Sequence, residues 1–131
     1  MNSVTQVFEA PSETKINQTL LVSEKFIENY YRLFTRPGGG AMKYYQDGTK
    51  VIWNGTAMTG QQFKQMIPEV QAQISHFDVH GLDCQSLGTQ ALVNVSGLVK
   101  MGPRKVQFTQ TFVIEKTGTL THIVSDCFRL V

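Results

Sequence analysis

Apolar residues recur at alternating spacings of four and three along the first third of the chain, from Thr14 to Thr35. This spacing puts them on one face of an α-helix, so it predicts a long amphipathic helix. Arg36, Pro37 and three glycines end the pattern, because proline cannot continue the helical hydrogen bonds and glycine accepts positive φ angles. The stripe consists of Ile16, Leu20, Ser23, Ile27, Tyr30 and Phe34.

A shorter helical pattern runs from Gly60 to about Ala72. Thr59 directly precedes it and is a residue type that caps helix N-termini. Pro68 lies inside the pattern and predicts a kink or an early end. The apolar face of this second helix consists of Phe63, Met66, Ile67 and Val70.

Between the two helices the pattern changes from a helical turn to a strand. Ala41–Tyr45 is typical of a short helical turn, and Thr49–Asn54 alternates apolar and polar residues as a strand does. Asn54 and Gly55 form a strong hairpin signal. They predict that the chain reverses into a short second strand over Thr56–Met58.

The second half of the chain has no helical period and contains four strand-like runs joined by short turns. Runs of this length predict an antiparallel meander that must curl, with Gly81 and Gly97 as bend or bulge positions. Helices that precede a curved antiparallel sheet predict an α+β fold, a cone whose sheet packs on the N-terminal helices. The four runs are Ile74–Leu87, Gln90–Met101, Arg104–Lys116 and Thr119–Val131.

Length and charge narrow the possible functions. The 131 residues predict one domain over residues 14–131, preceded by a polar, flexible tail over residues 1–13. The net charge of +2 is too small for the dense basic surface of a nucleic-acid-binding protein, so we expect direct RNA binding to be weak or absent. No apolar run approaches the roughly 20 residues of a membrane span, and no signal peptide is evident. These observations predict a protein of the cytoplasm or nucleus that does not bind membranes.

The two cysteines, Cys84 and Cys127, are not in a metal-binding or redox motif. They are interpreted as reduced structural thiols, because a chain of this length needs neither a disulfide nor a metal to fold. We expect no metal and no cofactor.

The final strand carries the best indication of function. Strand side chains alternate between two faces, which places Ser125, Cys127 and Arg129 on one face and Val124 and Phe128 on the other. Both faces also carry apolar residues, as in a strand that is covered on both sides. An arginine on such a strand suggests that a second chain covers this face and supplies a carboxylate.

Four segments, in order and with similar spacing, resemble the nuclear transport factor 2-like domain family. The resemblance extends over nearly everything after Thr14 and is strongest to the branch that supplies the small subunit of the nuclear mRNA export receptor. The segments are FIENYY at Phe26–Tyr31, VIWNGTAMTG at Val51–Gly60, LDCQ at Leu82–Gln85 and SDCFR at Ser125–Arg129.

This resemblance implies a noncatalytic protein that pairs through its sheet with the similar domain of the receptor's large subunit. Arg129 would bind an acidic residue of that partner, and the heterodimer would contact nuclear-pore repeat proteins while shuttling between nucleus and cytoplasm. Further polar residues of the preceding strand alternate onto one face and would join Ser125, Cys127 and Arg129 in the interface, or else simply face water. They are Gln107, Thr109 and Thr111.

Two other functions remain open within the same family. One is a homodimeric import carrier for Ran-GDP, but where that carrier has acidic residues this chain has a basic turn at Lys100–Lys105. The other is a small-molecule isomerase or dehydratase whose cone would hold a general base. Candidates for that base and its neighbours are Tyr44, Tyr45, Asp47, His76, Asp78 and His80.

Overall fold

A computed structural model of the chain describes residues 13–131, and side chains from Gln18 onward. The predicted tail, residues 1–13, lies outside the described residues except for Glu13, which begins the first helix. The elements follow one another as helix α1 (Glu13–Phe34), a short 3₁₀ helix (Gly40–Tyr44), β1 (Tyr45–Trp53), β2 (Thr56–Thr59), α2 (Gly60–Gln73), β3 (Ile74–Leu87), β4 (Gln90–Met101), β5 (Arg104–Thr117) and β6 (Leu120–Leu130).

Both predicted helices are present. Helix α1 buries an aromatic stripe that includes Phe26, Tyr30 and Phe34. Helix α2 starts at a capping box, in which Thr59 Oγ1 accepts from the amide of Gln62 and the Gln62 side chain accepts from the amide of Thr59. None of the described helices is long and apolar enough to cross a membrane.

Pro68 does not end helix α2, contrary to the predicted early end, because the helix continues to Gln73. Proline removes one backbone hydrogen bond, but Ile67 and Val70 on either side of it are buried in the core. The last turn is also held by Gln71, whose side-chain amide donates to the carbonyl oxygen of Phe34 at 2.9 Å. Burial and this contact keep the helix intact past the proline.

The six strands form one curved sheet in the order β2-β1-β6-β5-β4-β3. The four long strands form the predicted antiparallel meander, but β1 pairs with β6 in parallel, so the sheet is mixed rather than purely antiparallel. Parallel neighbours need a long connection, and the chain from β1 to β6 passes through α2 and four strands. A residue pattern read strand by strand cannot detect such a distant pairing.

Gly81 and Gly97 mark a bend of the sheet, as predicted. The register of β3 against β4 shifts between Val79 and Gly81. A Cβ atom on Gly97 would lie 2.0 Å from the carbonyl oxygen of Asp78, so only glycine allows the two strands to approach this closely.

A second irregularity lies in β6 and corrects the predicted faces of that strand. The register against β5 shifts so that Val113 pairs with Ser125 but Ile114 pairs with Ile123. The extra residue, Val124, reverses the alternation before it. Ile123 is therefore buried together with Phe128, and Val124 is only partly buried, whereas strict alternation had put Val124 in the core.

The helices pack against the concave face of the sheet, and aromatic rings fill the space between them. Phe108 stacks on Phe128, which stacks on Trp53, and Phe34 stacks on Trp53 from the helix side. Phe112 is fully buried between Phe26 and Tyr30, with ring centroids 5.2 and 4.9 Å away. Neither helix of the described residues covers the other face of the sheet.

Candidate partner interface and a buried polar network

All six residues that the sequence predicted for a partner interface lie on the convex face of the sheet. The pairing of β5 with β6 sets Thr109 beside Arg129 and Thr111 beside Cys127. Ser125 pairs with Val113, and Gln107 pairs with Leu98 of β4. Because residues two apart on a strand share a face, the six form one continuous patch across β5 and β6.

Arg129 is exposed, and no carboxylate among residues 18–131 forms an ion pair with it. Its guanidinium lies over the β1–β2 turn, where a Cβ on Gly55 would come 3.4 Å from Nη1. That turn is fixed to β6 by Asn54, whose amide donates to the Phe128 carbonyl at 2.8 Å and whose side-chain oxygen accepts from the Leu130 amide. Arg129 is thus presented from a rigid part of the sheet with its charge unpaired.

Apolar side chains surround the polar residues of the convex face. Ile52 of β1 pairs with Cys127 and is 44% exposed. Val113, Leu92 and Leu98 lie on the same face and are half-buried. This face mixes exposed aliphatic side chains with a few polar ones, and no helix within residues 13–131 covers it. It has the composition of a protein–protein interface.

This face carries charges of both signs. Lys50 and Arg129 lie toward β1 and β6 and are both exposed. At the other side of the sheet, Asp78 pairs with Leu98 and Asp83 pairs with Asn94, and both aspartates are exposed. Lys100 is also exposed on this face, two residues from Leu98 on β4. The convex face therefore presents positive and negative groups at different positions.

A buried polar network on the concave side was not predicted. Asp126 is only 2% exposed, and its carboxylate accepts from the Tyr45 hydroxyl at 2.5 Å and from the Gln110 side-chain amide at 2.8 Å. The Tyr31 hydroxyl donates to Oε1 of Gln110 at 2.7 Å, and the hydroxyls of Tyr30 and Tyr45 lie 2.6 Å apart. The network ties helix α1 to strands β1, β5 and β6.

Burial changes the acidity of this network. Loss of hydration raises the pKa of Asp126 from 3.8 to about 6, although the hydrogen bonds from Tyr45 and Gln110 act in the opposite direction. Burial also raises the pKa values of Tyr30, Tyr31 and Tyr45 well above that of an exposed tyrosine, and the Asp126 charge adds to this effect. These tyrosines stay protonated and can donate to the network.

The sequence contains a signal for this network. Asp126 alternates onto the same strand face as Phe128, which places a carboxylate among apolar neighbours. Tyr30, Tyr31 and Tyr45 are buried, and their hydroxyls bond to protein groups.

The candidates for catalysis do not come together. Asp47 is exposed beside Lys64, with 3.6 Å between the charged atoms. Asp78 and His80 are exposed and 3.6 Å apart on the β3 edge. Tyr44 and Tyr45 belong to the aromatic core, and no histidine of the described residues is buried there with them. Both cysteines are free thiols, and no group of residues that could hold a metal ion occurs among the described residues.

The basic turn also lies where the sequence placed it. Lys100 and Lys105 pair at the end of the β4–β5 hairpin, with Arg104 next to them, and all three are exposed. Their charges point to solvent at the tip of the hairpin, at the end of the sheet near Gln107.

Comparison with known proteins matches residues 22–130 to the nuclear transport factor 2 (NTF2) domain. The chain belongs to the NTF2 domain family. It is 32% identical to NTF2-related export protein 2 of Mus musculus, over 89% of this chain and 90% of that protein. It is also 31% identical to nuclear transport factor 2 of Oryza sativa subsp. japonica, over 83% and 93% of the two chains.

Solved structures agree on the fold. A chain of the yeast deubiquitinase Ubp3 and Bre5 cofactor complex matches with a TM-score of 0.69 at 17% identity, over 84% of this chain and 94% of that one. A putative scytalone dehydratase from Novosphingobium aromaticivorans matches equally well at 11% identity, over 90% and 88%. The relatives similar in sequence are transport factors, whereas the fold itself also occurs in enzymes.

Proposed function

We propose that this chain is the noncatalytic small subunit of the heterodimeric nuclear mRNA export receptor, and that the convex face of its sheet pairs with the similar domain of the large subunit. The observation that carries the proposal is Arg129, which is exposed, held in place by the β1–β2 turn and unpaired within the described chain. The similarity to export proteins over almost the whole domain supports the choice of partner.

The chemistry of the patch suits a specific and stable pair. Ile52, Leu98 and Val113 would lose contact with water on pairing, which stabilises a complex by roughly 25 cal/mol per Å² of apolar surface. Arg129 would form two charge-assisted hydrogen bonds to one carboxylate. The heterodimer would then contact nuclear-pore repeat proteins and shuttle between nucleus and cytoplasm.

The positions of Arg129 and Asp83 on the face would help to fix the orientation of the partner. A partner with an acidic group over Arg129 and a basic group over Asp83 matches both charges. An orientation that exchanged these two groups would place like charges together, so the face discriminates against it.

Co-purification with a charge reversal tests the proposal. Arg129→Glu leaves two carboxylates facing each other and should remove the large subunit from the purified complex, and a reciprocal acidic-to-arginine change in the partner should restore part of the binding. Arg36→Glu is the matched control, since Arg36 is also exposed but lies in the loop after helix α1. Undiminished pairing of Arg129→Glu would overturn the assigned role.

A homodimeric import carrier for Ran-GDP is the second candidate, and the similarity to rice nuclear transport factor 2 favours it. The exposed basic turn of Lys100, Arg104 and Lys105 speaks against it, because the family's import carriers use acidic residues near this turn. Gel filtration of the purified chain with Ran-GDP separates the two functions. A stable homodimer that binds Ran-GDP would support the import carrier.

A small-molecule isomerase or dehydratase has the least support. Its candidate residues are dispersed over the surface or take part in core packing. Among the side chains from Gln18 onward, the one buried carboxylate is that of Asp126, and it is enclosed by Tyr45 and Gln110. Such an enzyme needs a base that can reach the substrate.

A further inference from the structure

A groove of about 680 Å³ separates helix α1 from the bent strand β3. It opens on the helix side of the sheet, away from the convex face, and nothing in the proposed function uses it. Its base is formed by Tyr31 and Phe77, whose rings are 4.5 Å apart, and by Ile27 and Leu82. The base is apolar, and the hydrogen bond from the Tyr31 hydroxyl to Gln110 holds the Tyr31 ring in place.

One side of the groove is an open sheet edge. β3 is the last strand of the sheet and pairs, within the described chain, only with β4. The backbone N–H and C=O groups of every second residue of β3 point away from β4, and there they have no strand partner within the described chain. Val79 and His80 are exposed at this edge, next to the bend at Gly81. Unpaired edges accept an extended peptide as an additional strand.

The opposite side is acidic. Glu24 and Glu28 lie one helical turn apart on α1, both are exposed, and neither forms an ion pair among the described side chains. The basic side chains that line the groove are Arg32, one helical turn after Glu28, and His76 and His80 of β3. Arg32 donates to Oδ1 of Asn29 at 2.9 Å, and His80 lies 3.6 Å from Asp78.

We propose that this groove binds an extended peptide from a partner protein, added as a strand along the edge of β3, with aliphatic residues over Ile27 and Leu82 and a lysine or arginine between Glu24 and Glu28. The shape, the free edge and the charge select this occupant together. Aliphatic side chains at alternate positions of a strand point to one side and would reach the apolar base. The position of Arg32 sets the direction of the bound peptide. Because like charges repel, the basic residue of the peptide must lie at the end of the groove away from Arg32.

The chain's own first residues do not have this chemistry. Residues 1–12 contain Glu9 and no lysine or arginine, so they cannot supply the cation that Glu24 and Glu28 would pair with. Residues 1–12 are therefore not the occupant proposed here.

Selection from a phage-displayed library of random twelve-residue peptides on the full chain tests this proposal. We expect enrichment of sequences that alternate aliphatic residues and contain a lysine or arginine. The double variant Glu24→Lys/Glu28→Lys should weaken binding of the enriched peptide at least tenfold. Glu69→Lys, the same type of substitution at a single exposed site on α2, should leave binding unchanged.

Strand addition has its own readout in the same peptide. Two peptides are compared, one with methylated backbone nitrogens at its odd positions and one with methylated nitrogens at its even positions, which are the two methylation phases. Only every second amide of an added strand bonds to the edge, so one phase should abolish binding and the other should leave it intact. Unchanged circular dichroism of the charge variants shows that they fold. No enrichment, enrichment of acidic peptides, or equal effects of both methylation phases would overturn the proposal.

Discussion

Polar residues on the two faces of the same sheet differ in burial and in hydrogen bonding. On the concave face Asp126 and Gln110 are buried and bonded to each other and to tyrosines. On the convex face Arg129, three residues after Asp126 on the same strand, is exposed and forms no ion pair among the described residues. A buried polar group costs free energy unless it is paired. The polar groups of the Asp126 network are paired inside the fold, whereas the Arg129 charge has no ion-pair partner among the described residues.

This difference separates residues that stabilise the fold from residues that are available for binding. Substitutions on the concave face should change the free energy of unfolding, and those on the convex face should change pairing with little effect on stability.

The largest loss of stability should come from truncating the aromatic core. Phe112→Ala removes a ring that is fully buried between Phe26 and Tyr30, and should lower the free energy of unfolding by about 3 to 5 kcal/mol. Urea denaturation measures the change. A loss below about 1 kcal/mol would mean that the concave side is not the closely packed core described above.

The pH dependence of stability should come mainly from Asp126. Its pKa of about 6 in the folded state is above the 3.8 of an unperturbed carboxyl, so between these values the folded chain binds a proton that the unfolded chain has released. Stability contributed by this group is therefore full below pH 3.8 and is lost as the pH rises to about 6, by about 3 kcal/mol.

Asp126→Asn should remove this dependence, because the amide has no proton to lose. Comparing urea denaturation of the two proteins at pH 4 and pH 7 should show the variant gaining on the parent by about 3 kcal/mol at the higher pH. Asp83→Asn, at an exposed position on β3, is the matched control and should leave the dependence in place. The same pH profile with and without Asp126 would contradict the account of the network.

A smaller loss should follow from removing a single donor. Tyr45→Phe deletes the hydroxyl that donates to Asp126 and should lower stability at pH 7 by about 1 to 3 kcal/mol. It should also raise the pKa of Asp126 further, because burial continues to oppose ionisation and one of the two hydrogen bonds that favour it is gone. NMR titration of the Asp126 carboxyl measures this; an unchanged or lowered pKa would refute it.

The smallest effect on stability is expected on the convex face. Thr109 directly precedes Gln110, on the same strand as Phe112. Thr109→Ala removes an exposed side chain with no hydrogen bond among the described contacts and should change the free energy of unfolding by less than about 0.5 kcal/mol. It should nevertheless weaken pairing with the large subunit, less than Arg129→Glu does. A loss comparable to that of Phe112→Ala would remove the distinction between the two faces.

The sequence was sufficient to predict the elements, because their signals are local. Thr59 caps α2, Asn54 and Gly55 make the hairpin, and the glycines at 81 and 97 mark the bend, each through its own backbone chemistry. The convex patch was also predictable, since alternation along β5 and β6 places polar residues on one side.

What the sequence could not supply depends on distant pairing. The parallel contact of β1 with β6 and the irregularity at Val124 arise from register against other strands. The network of Asp126 joins residues up to 81 positions apart, from Tyr45 to the final strand. A polar residue on an apolar face indicates that a partner exists inside the fold, but does not identify it.

The central claim is that a second chain covers the convex face, and the thiol of Cys127 reports this directly. Cys127 is exposed in the middle of the patch, beside Thr111 and Ile52, whereas Cys84 is half-buried on the other side of the sheet. The measurement is the rate of alkylation of Cys127 by iodoacetamide, followed by mass spectrometry, in the free chain and in its complex with the similar domain of the large subunit of the mRNA export receptor. We expect the alkylation rate at Cys127 to fall at least tenfold in the complex, while the rate at Cys84 stays nearly unchanged. An intact complex in which Cys127 reacts as fast as in the free chain would contradict the proposed pairing.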